Sequence, residues 1–436
     1  MKYILIYIFL ININLSPIFS NLKITFKTYS PDKLPTIKKL INNYIYLNIN
    51  LGYPNTKQTK LLIKQEKYHF FLYENSSYSY KNSESCKILV NENYEIKNSA
   101  CAKGIVLNDI MYLEGNKYDN ISFILCNKYY NDENLYFDGQ IGFNIGYEDK
   151  YDSNFIRQLK GKNIISNYIY SIIYENNEEG FILIGEYPHM INLNNNIYND
   201  YSIFKKENLI WFHAVENNKN QRWSITFDKI SYSNSELFQI QRECILSVEN
   251  KFIISTYQYF NLIKEIFGKK CKIYQSEYSY QYLSCDKNID KEFTPQINFY
   301  IKEYNITFNI NYKDLFFDDG DSLIFLVATY ADFDEGYWIL GKPFIKKYLF
   351  LYDMDSKMIG FYNKDIHVTV DNIEINNKKE GNFNLSIFFN VFLCIIIIIL
   401  IFILYHCYVN KRRIRANELE DKFNYIAKTD KEIKEF

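Results

Sequence analysis

Two stretches of this chain share one pattern: an apolar run, a short polar insert, then a second apolar run. They are LLI-KQEK-YHFFL at 61–72 and CIL-SVENK-FII at 244–254. Each is followed, in its own half of the chain, by an apolar run carrying glycine, FDGQIGF at 137–143 and YWILGKPF at 337–344. One repeat at so large a spacing fits two duplicated lobes; a solenoid would need many short copies. The intervening sequence is built from short runs rich in aromatic and β-branched residues, bounded by Asn, Asp, Gly or Lys. Examples are YIYLNINLG (44–52), KLLI (60–63), YHFFLY (68–73), FILIG (181–185), RWSITF (222–227) and YLFLYDM (348–354). Helical spacing of apolar residues is confined to 154–159 and 256–266. The expectation is a mainly β chain with few short helices, too long for one sandwich.

The two ends read differently. Residues 1–20 have the form of a signal peptide, with Lys2 before an apolar run from Tyr3 to Leu10 and small residues at Ser16 and Ser20. Residues 386–409, SIFFNVFLCIIIIILIFILYHCYV, are long enough to cross ~30 Å of hydrocarbon as one helix. Lys411, Arg412, Arg413 and Arg415 follow at once and place the 410–436 tail in the cytosol. The implied protein is single-pass and type I, at the cell surface or in an endomembrane, in contact with lipid through 386–409. Its ectodomain is lumenal or extracellular. It divides into a polar lead-in (21–42), two lobes (43–200 and 201–363) and a polar stalk (364–385).

Six cysteines lie on the lumenal side: Cys86, Cys101, Cys126, Cys244, Cys271 and Cys285. Locality favours Cys271–Cys285 and Cys86–Cys101, leaving Cys126 and Cys244 to pair or stay free. Cys394 falls inside the apolar segment and Cys407 at its cytosolic end. Sequons at Asn75, Asn120, Asn305 and Asn384 suit a glycosylated ectodomain. The net charge of −1 gives no pull toward nucleic acid.

Several segments, in order, resemble the pepsin-like aspartic proteases in their membrane-anchored form. YLNINLGYPNTKQTKLLI matches the family's first strand pair, with a Gly-x-Pro turn at Gly52 and Pro54. FDGQIGF, then FIRQLKGKNIISNYIYSIIY at 155–174, then GFILIGEY at 180–187, resembles its Phe-Asp-Gly turn, Gln-Leu helix and glycine-ended strand, with Glu186 in place of the second glycine. Trp223 to Tyr232 resembles the strand pair that opens the second lobe. Trp338-Ile339-Leu340-Gly341 with Phe344, Tyr352-Asp353 and Ile359-Gly360-Phe361 matches the closing motif. The resemblance runs from about Tyr44 to Asn363 and implies a bilobal acid-protease fold.

What the resemblance also implies is missing. Such enzymes hold two aspartates about 3 Å apart that share one proton, so that one activates water and the other protonates the carbonyl. Aligned by their apolar flanks, the two Asp positions carry Lys64 and Ser247. Lys64-Gln65-Glu66-Lys67 replaces Asp-Thr-Gly-Ser, and Ser247-Val248-Glu249-Asn250-Lys251 replaces Asp-Ser-Gly-Thr-Ser. Both glycines, which let backbones approach closely, are gone. The flap is altered as well: counting back from Gly104 and Asp109, Lys97 stands at its tyrosine, with Tyr94 the other candidate.

A substitute is conceivable. Glu66 and Glu249 occupy matching places, and a pseudo-twofold axis would bring them together. Against that stand the longer side chain, the loss of the glycine-dependent loop, and Lys64, Lys67 and Lys251, which favour two ionised carboxylates. No serine-hydrolase elbow, zinc motif or phosphate loop is present, and the five histidines show no ligand spacing. His69 reads as structural, Asp138 and Asp353 as structural aspartates, and Asp318-Asp319-Gly320-Asp321 as an exposed loop. The expectation is a non-catalytic pseudoprotease without a cofactor, whose interlobe cleft takes an extended peptide or a protein. The alternative is an active aspartic endopeptidase working through Glu66 and Glu249.

Overall fold

The structure is a computed structural model. It describes residues 21–363 apart from connecting segments at 30–39, 41–42, 96–100, 130–135, 145–152, 191–203, 216–221, 239–240, 277–279, 290–295 and 331–335, and the single positions 177, 234 and 288. The segments read as a signal peptide (1–20), stalk, apolar span and tail (364–436), together with Asn384, lie outside the described residues, as does the flap position Lys97. No helix among the described residues is long and apolar enough to cross a membrane.

Apolar residues alternating at period two make the strands. Tyr44–Leu51 buries Ile45, Leu47, Ile49 and Leu51 and turns Asn48 and Asn50 outward. Residues 21–42, expected to be a polar lead-in, begin instead with a strand, Leu22–Tyr29. Leu22, Ile24 and Phe26 face the core while Lys23, Thr25 and Lys27 face out. The polar half of that alternation is what made the segment look uniformly polar.

One sheet of thirteen strands carries the first lobe and extends into a platform shared by both halves. On the platform, Leu209–His213, Met358–Tyr362 and Phe350–Asp353 come from the second half; Ile169–Tyr174, Glu179–Ile184 and Leu22–Tyr29 come from the first. A second sheet and a four-stranded sheet, built from residues between Ser224 and Leu340, form the other lobe.

The repeat seen in the sequence is a repeat in space. Strand Lys57–Lys64 lies parallel to Gly139–Gly142, with Leu61 opposite Gly139 and Lys64 opposite Gly142. Strand Arg242–Leu246 lies parallel to Trp338–Leu340, with Cys244 opposite Trp338 and Leu246 opposite Leu340. In each lobe the strand after the polar insert then pairs antiparallel to the same glycine-associated strand: Phe71–Tyr73 in one, Ile253–Ile254 in the other.

The two expected helices form at Phe155–Gly161 and Tyr257–Phe267. Asn154 caps the first by accepting from Arg157 N, and Thr256 caps the second by accepting from Tyr259 N. Disulfides join Cys271 to Cys285 and Cys101 to Cys126. The first is the expected local pair. The second corrects the Cys86–Cys101 pairing: adjacent strands 101–113 and 116–129 bring Cys101 beside Cys126, and sheet register outranks sequence distance. Cys86 and Cys244 are free thiols, Cys244 buried. Asn75, Asn120 and Asn305 are all exposed.

Candidate functional site

The polar inserts form two tight turns that face each other across the lobes. Backbone hydrogen bonds brace them in matching ways. Phe143 N and Asn144 N donate to Lys64 O and Lys67 O, both at 2.9 Å; Lys342 N donates to Asn250 O at 2.8 Å, and Ser247 N to Leu340 O at 3.1 Å. Gly142 and Gly341 permit this approach. A Cβ on Gly142 would lie 2.4 Å from Lys67 O, and one on Gly341 would lie 2.2 Å from Phe252 O. The expectation that the loops are lost with their own glycines is therefore corrected. Neither 64–67 nor 247–251 contains a residue at positive φ, and the glycines that matter are Gly142, at the end of strand Gly139–Gly142, and Gly341, directly after strand Trp338–Leu340.

Each turn captures the other. Val248 N donates to Gln65 Oε1 at 3.2 Å, and Glu66 N donates to Glu249 Oε1 at 3.0 Å. The paired positions are equivalent in the repeat, so the contact has approximate twofold character. Lys64 completes it: its Nζ lies 3.1 Å from Glu249 Oε2, with the two side chains 10% and 16% exposed. Asn250 Nδ2 donates to Ser247 Oγ at 2.8 Å and reaches Glu66 Oε1 at 3.4 Å. Beneath the turns, Tyr170 OH and Trp223 Nε1 both donate to Phe143 O, at 2.8 and 3.1 Å, and the Tyr170 and Tyr352 rings stack at 4.8 Å.

The structure thus brings Lys64, Glu66, Ser247 and Glu249 to one place. Their charges divide unequally. Burial, reinforced by the Glu249 charge, pushes the Glu66 carboxyl above its ordinary value, against the Ser247 hydroxyl, Arg222 and Lys67. Two ionised carboxylates were expected from the three neighbouring lysines. Instead Lys64 serves Glu249, while Lys251 Nζ donates to Glu249 O at 2.8 Å and sits 4.8 Å over the Tyr44 ring. Glu66 is left in a largely buried position that favours its protonated form.

Other residues singled out in the sequence have scaffold roles. Asp138 Oδ2 and Oδ1 accept from Lys60 N and Ser77 N at 2.8 and 2.7 Å. Asp353 Oδ1 caps a turn at Asp355 N and Ser356 N. His69 Nδ1 pairs with Ser153 Oγ at 2.6 Å. Asp318 is the exposed last residue of strand Phe316–Asp318, 3.1 Å from Lys287. Among the described residues no group of three His, Cys, Asp or Glu side chains could hold a metal ion. Sequence reading missed Gln65 and Asn250, which carry the contacts between and within the turns. The signal was present, since Gln65 and Val248 immediately precede the matched glutamates.

The family model of eukaryotic aspartyl proteases matches residues 50–364. Among solved structures, an aspartic proteinase from Irpex lacteus superposes with a TM-score of 0.59 at 13% identity, over 81% of this chain and 100% of that one. No curated protein sequence matches. The folded body is mainly β and pepsin-like, and the chain belongs to the eukaryotic aspartyl protease family.

Proposed function

We propose that this chain is a non-catalytic member of its family, a membrane-anchored pseudoprotease whose interlobe cleft holds an extended peptide or a protein segment. The observation that carries the reading is the Lys64–Glu249 ion pair between the two turns. Water activation by an aspartate dyad requires a net negative charge shared by two carboxyls and one proton. Here an ammonium group cancels the charge on one carboxylate, and burial drives the other carboxyl toward neutrality. The cluster keeps the dyad's place and lacks its net charge. Pairing of extended backbone along the cleft would supply binding without cleavage.

A second reading is favoured by one observation, the convergence of Glu66 and Glu249, which would let one carboxyl act as acid and the other as base. Acid-pH digestion of casein by the purified full chain, with and without a transition-state peptide inhibitor, separates the two. Inhibitor-sensitive cleavage that disappears in both Glu66→Gln and Glu249→Gln sinks the non-catalytic reading. Absence of cleavage in the intact chain supports it.

A further inference from the structure

We infer that a cavity on the outer surface of the first lobe, formed by different residues from the interlobe site, binds a neutral carbohydrate. The cavity is an open groove of about 470 Å³ between the hairpin after Tyr44–Leu51 and the turn at Glu114-Gly115. That volume falls within the usual range of small-ligand sites.

Its floor is set by register. The outward residues of Tyr44–Leu51 include Asn48 and Asn50, and Asn50 lies opposite Gln58 on one neighbouring strand and Tyr112 on the other. Three polar side chains are therefore gathered on one sheet face. Gly52, at φ +91°, turns the chain upward, and Tyr53, 49% exposed, forms one wall. Tyr53 N donates to Ser83 Oγ at 3.1 Å and Glu84 N donates to Tyr53 O at 2.7 Å, which fixes that wall. Glu114 forms the other; its Oε1 accepts from Thr25 N at 2.7 Å and is thereby held in place.

Among the described residues, the side chains of Asn48, Asn50, Gln58, Tyr53 and Tyr112 make no hydrogen bond within the protein. The cavity thus offers three amides, two phenol groups with their ring faces, and a single carboxylate. Amides present a donor and an acceptor side by side, which suits adjacent hydroxyls, each of which can do both. A carboxylate accepts from a further hydroxyl, and tyrosine rings cover the C–H face of a pyranose. Ile49 and Pro54 are the only aliphatic side chains of the lining, beside the Thr56 hydroxyl and the amides, which disfavours lipids, and its one formal charge, negative, disfavours anions. A hexose or N-acetylhexosamine meets each of these requirements.

Saturation-transfer NMR on the deglycosylated full chain, held in a detergent without a sugar head group, tests this. The probes are methyl α-mannopyranoside, methyl β-galactopyranoside and N-acetylglucosamine. At least one should receive saturation, with a Kd of about 1 mM for a ligand of this size. Asn50→Ala and Gln58→Ala, both at exposed positions that leave the unfolding temperature unchanged, should each weaken that binding about tenfold, while Glu66→Gln should not affect it. No transfer to any of the three sugars, or transfer that survives both substitutions, overturns the proposal.

Discussion

Replacing Lys64 by Met would test the interlobe contact most directly. The substitution keeps the length and apolar stem of the side chain and removes only the ammonium group. It leaves the Glu249 carboxylate, 16% exposed, with the Glu66 N–H at 3.0 Å but without its cation at 3.1 Å. Breaking one side of a buried ion pair costs about 3–5 kcal/mol, and the residual exposure here favours the low end, about 3 kcal/mol at pH 7. For a folded body of this size that corresponds to roughly 4 °C in the unfolding temperature.

Adding Glu249→Gln to Lys64→Met should restore most of the stability, since an amide can still accept from Glu66 N–H. Differential scanning calorimetry of the two single variants, the double variant and the parent at pH 7 gives the full cycle. A Lys64→Met variant that melts within about 1 °C of the parent, or a double variant no more stable than Lys64→Met alone, refutes the reasoning.

Two further expectations follow from the same region. Glu66 is raised above its ordinary value of 4.5, so its contribution to stability is fully present below that pH and is lost as pH rises through the folded-state value. Glu66→Gln should accordingly match the parent near pH 4 and exceed it increasingly above, as read by chemical denaturation; a constant offset across pH would contradict the assigned cause. At Gly341, alanine would place a Cβ 2.2 Å from Phe252 O and 2.6 Å from Asn250 O, both backbone atoms. Gly341→Ala should cost about 3 kcal/mol or more and loosen the 247–251 turn. Unchanged unfolding and unchanged amide-exchange protection there would show that the strand spacing is softer than described.

The fold was legible because its signals are local and repeated. The apolar flanks of the two inserts specify the crossing strands, and Asn154 and Thr256 mark the two helix starts within a residue. The strand at Leu22–Tyr29 escaped notice because outward Lys23, Thr25 and Lys27 mask an alternation only three pairs long. Cys101–Cys126 was hidden for a different reason: a disulfide across a long hairpin depends on strand register, which spacing along the chain does not reveal.

At the site, the matching of Glu66 with Glu249 could be read directly from the two inserts. The partner of Lys64 could not, since an ion pair bridging two loops 185 positions apart is fixed only once the lobes are docked. Nor could the survival of the turns without their glycines. That depends on Gly142 and Gly341, which the chain reaches only much later.

The shared platform has a consequence for synthesis. Ser171 of the first half pairs with Leu351 of the second, and Tyr170 stacks on Tyr352. A ribosome working at about 5–20 residues per second needs roughly ten seconds or more to travel between those positions. Throughout that interval the nascent first lobe presents a strand edge and an aromatic surface whose partners do not yet exist. A chain like this therefore has reason to be held by a chaperone until its last strands arrive, and truncation just before Phe350 should leave a species that aggregates while the intact chain stays soluble.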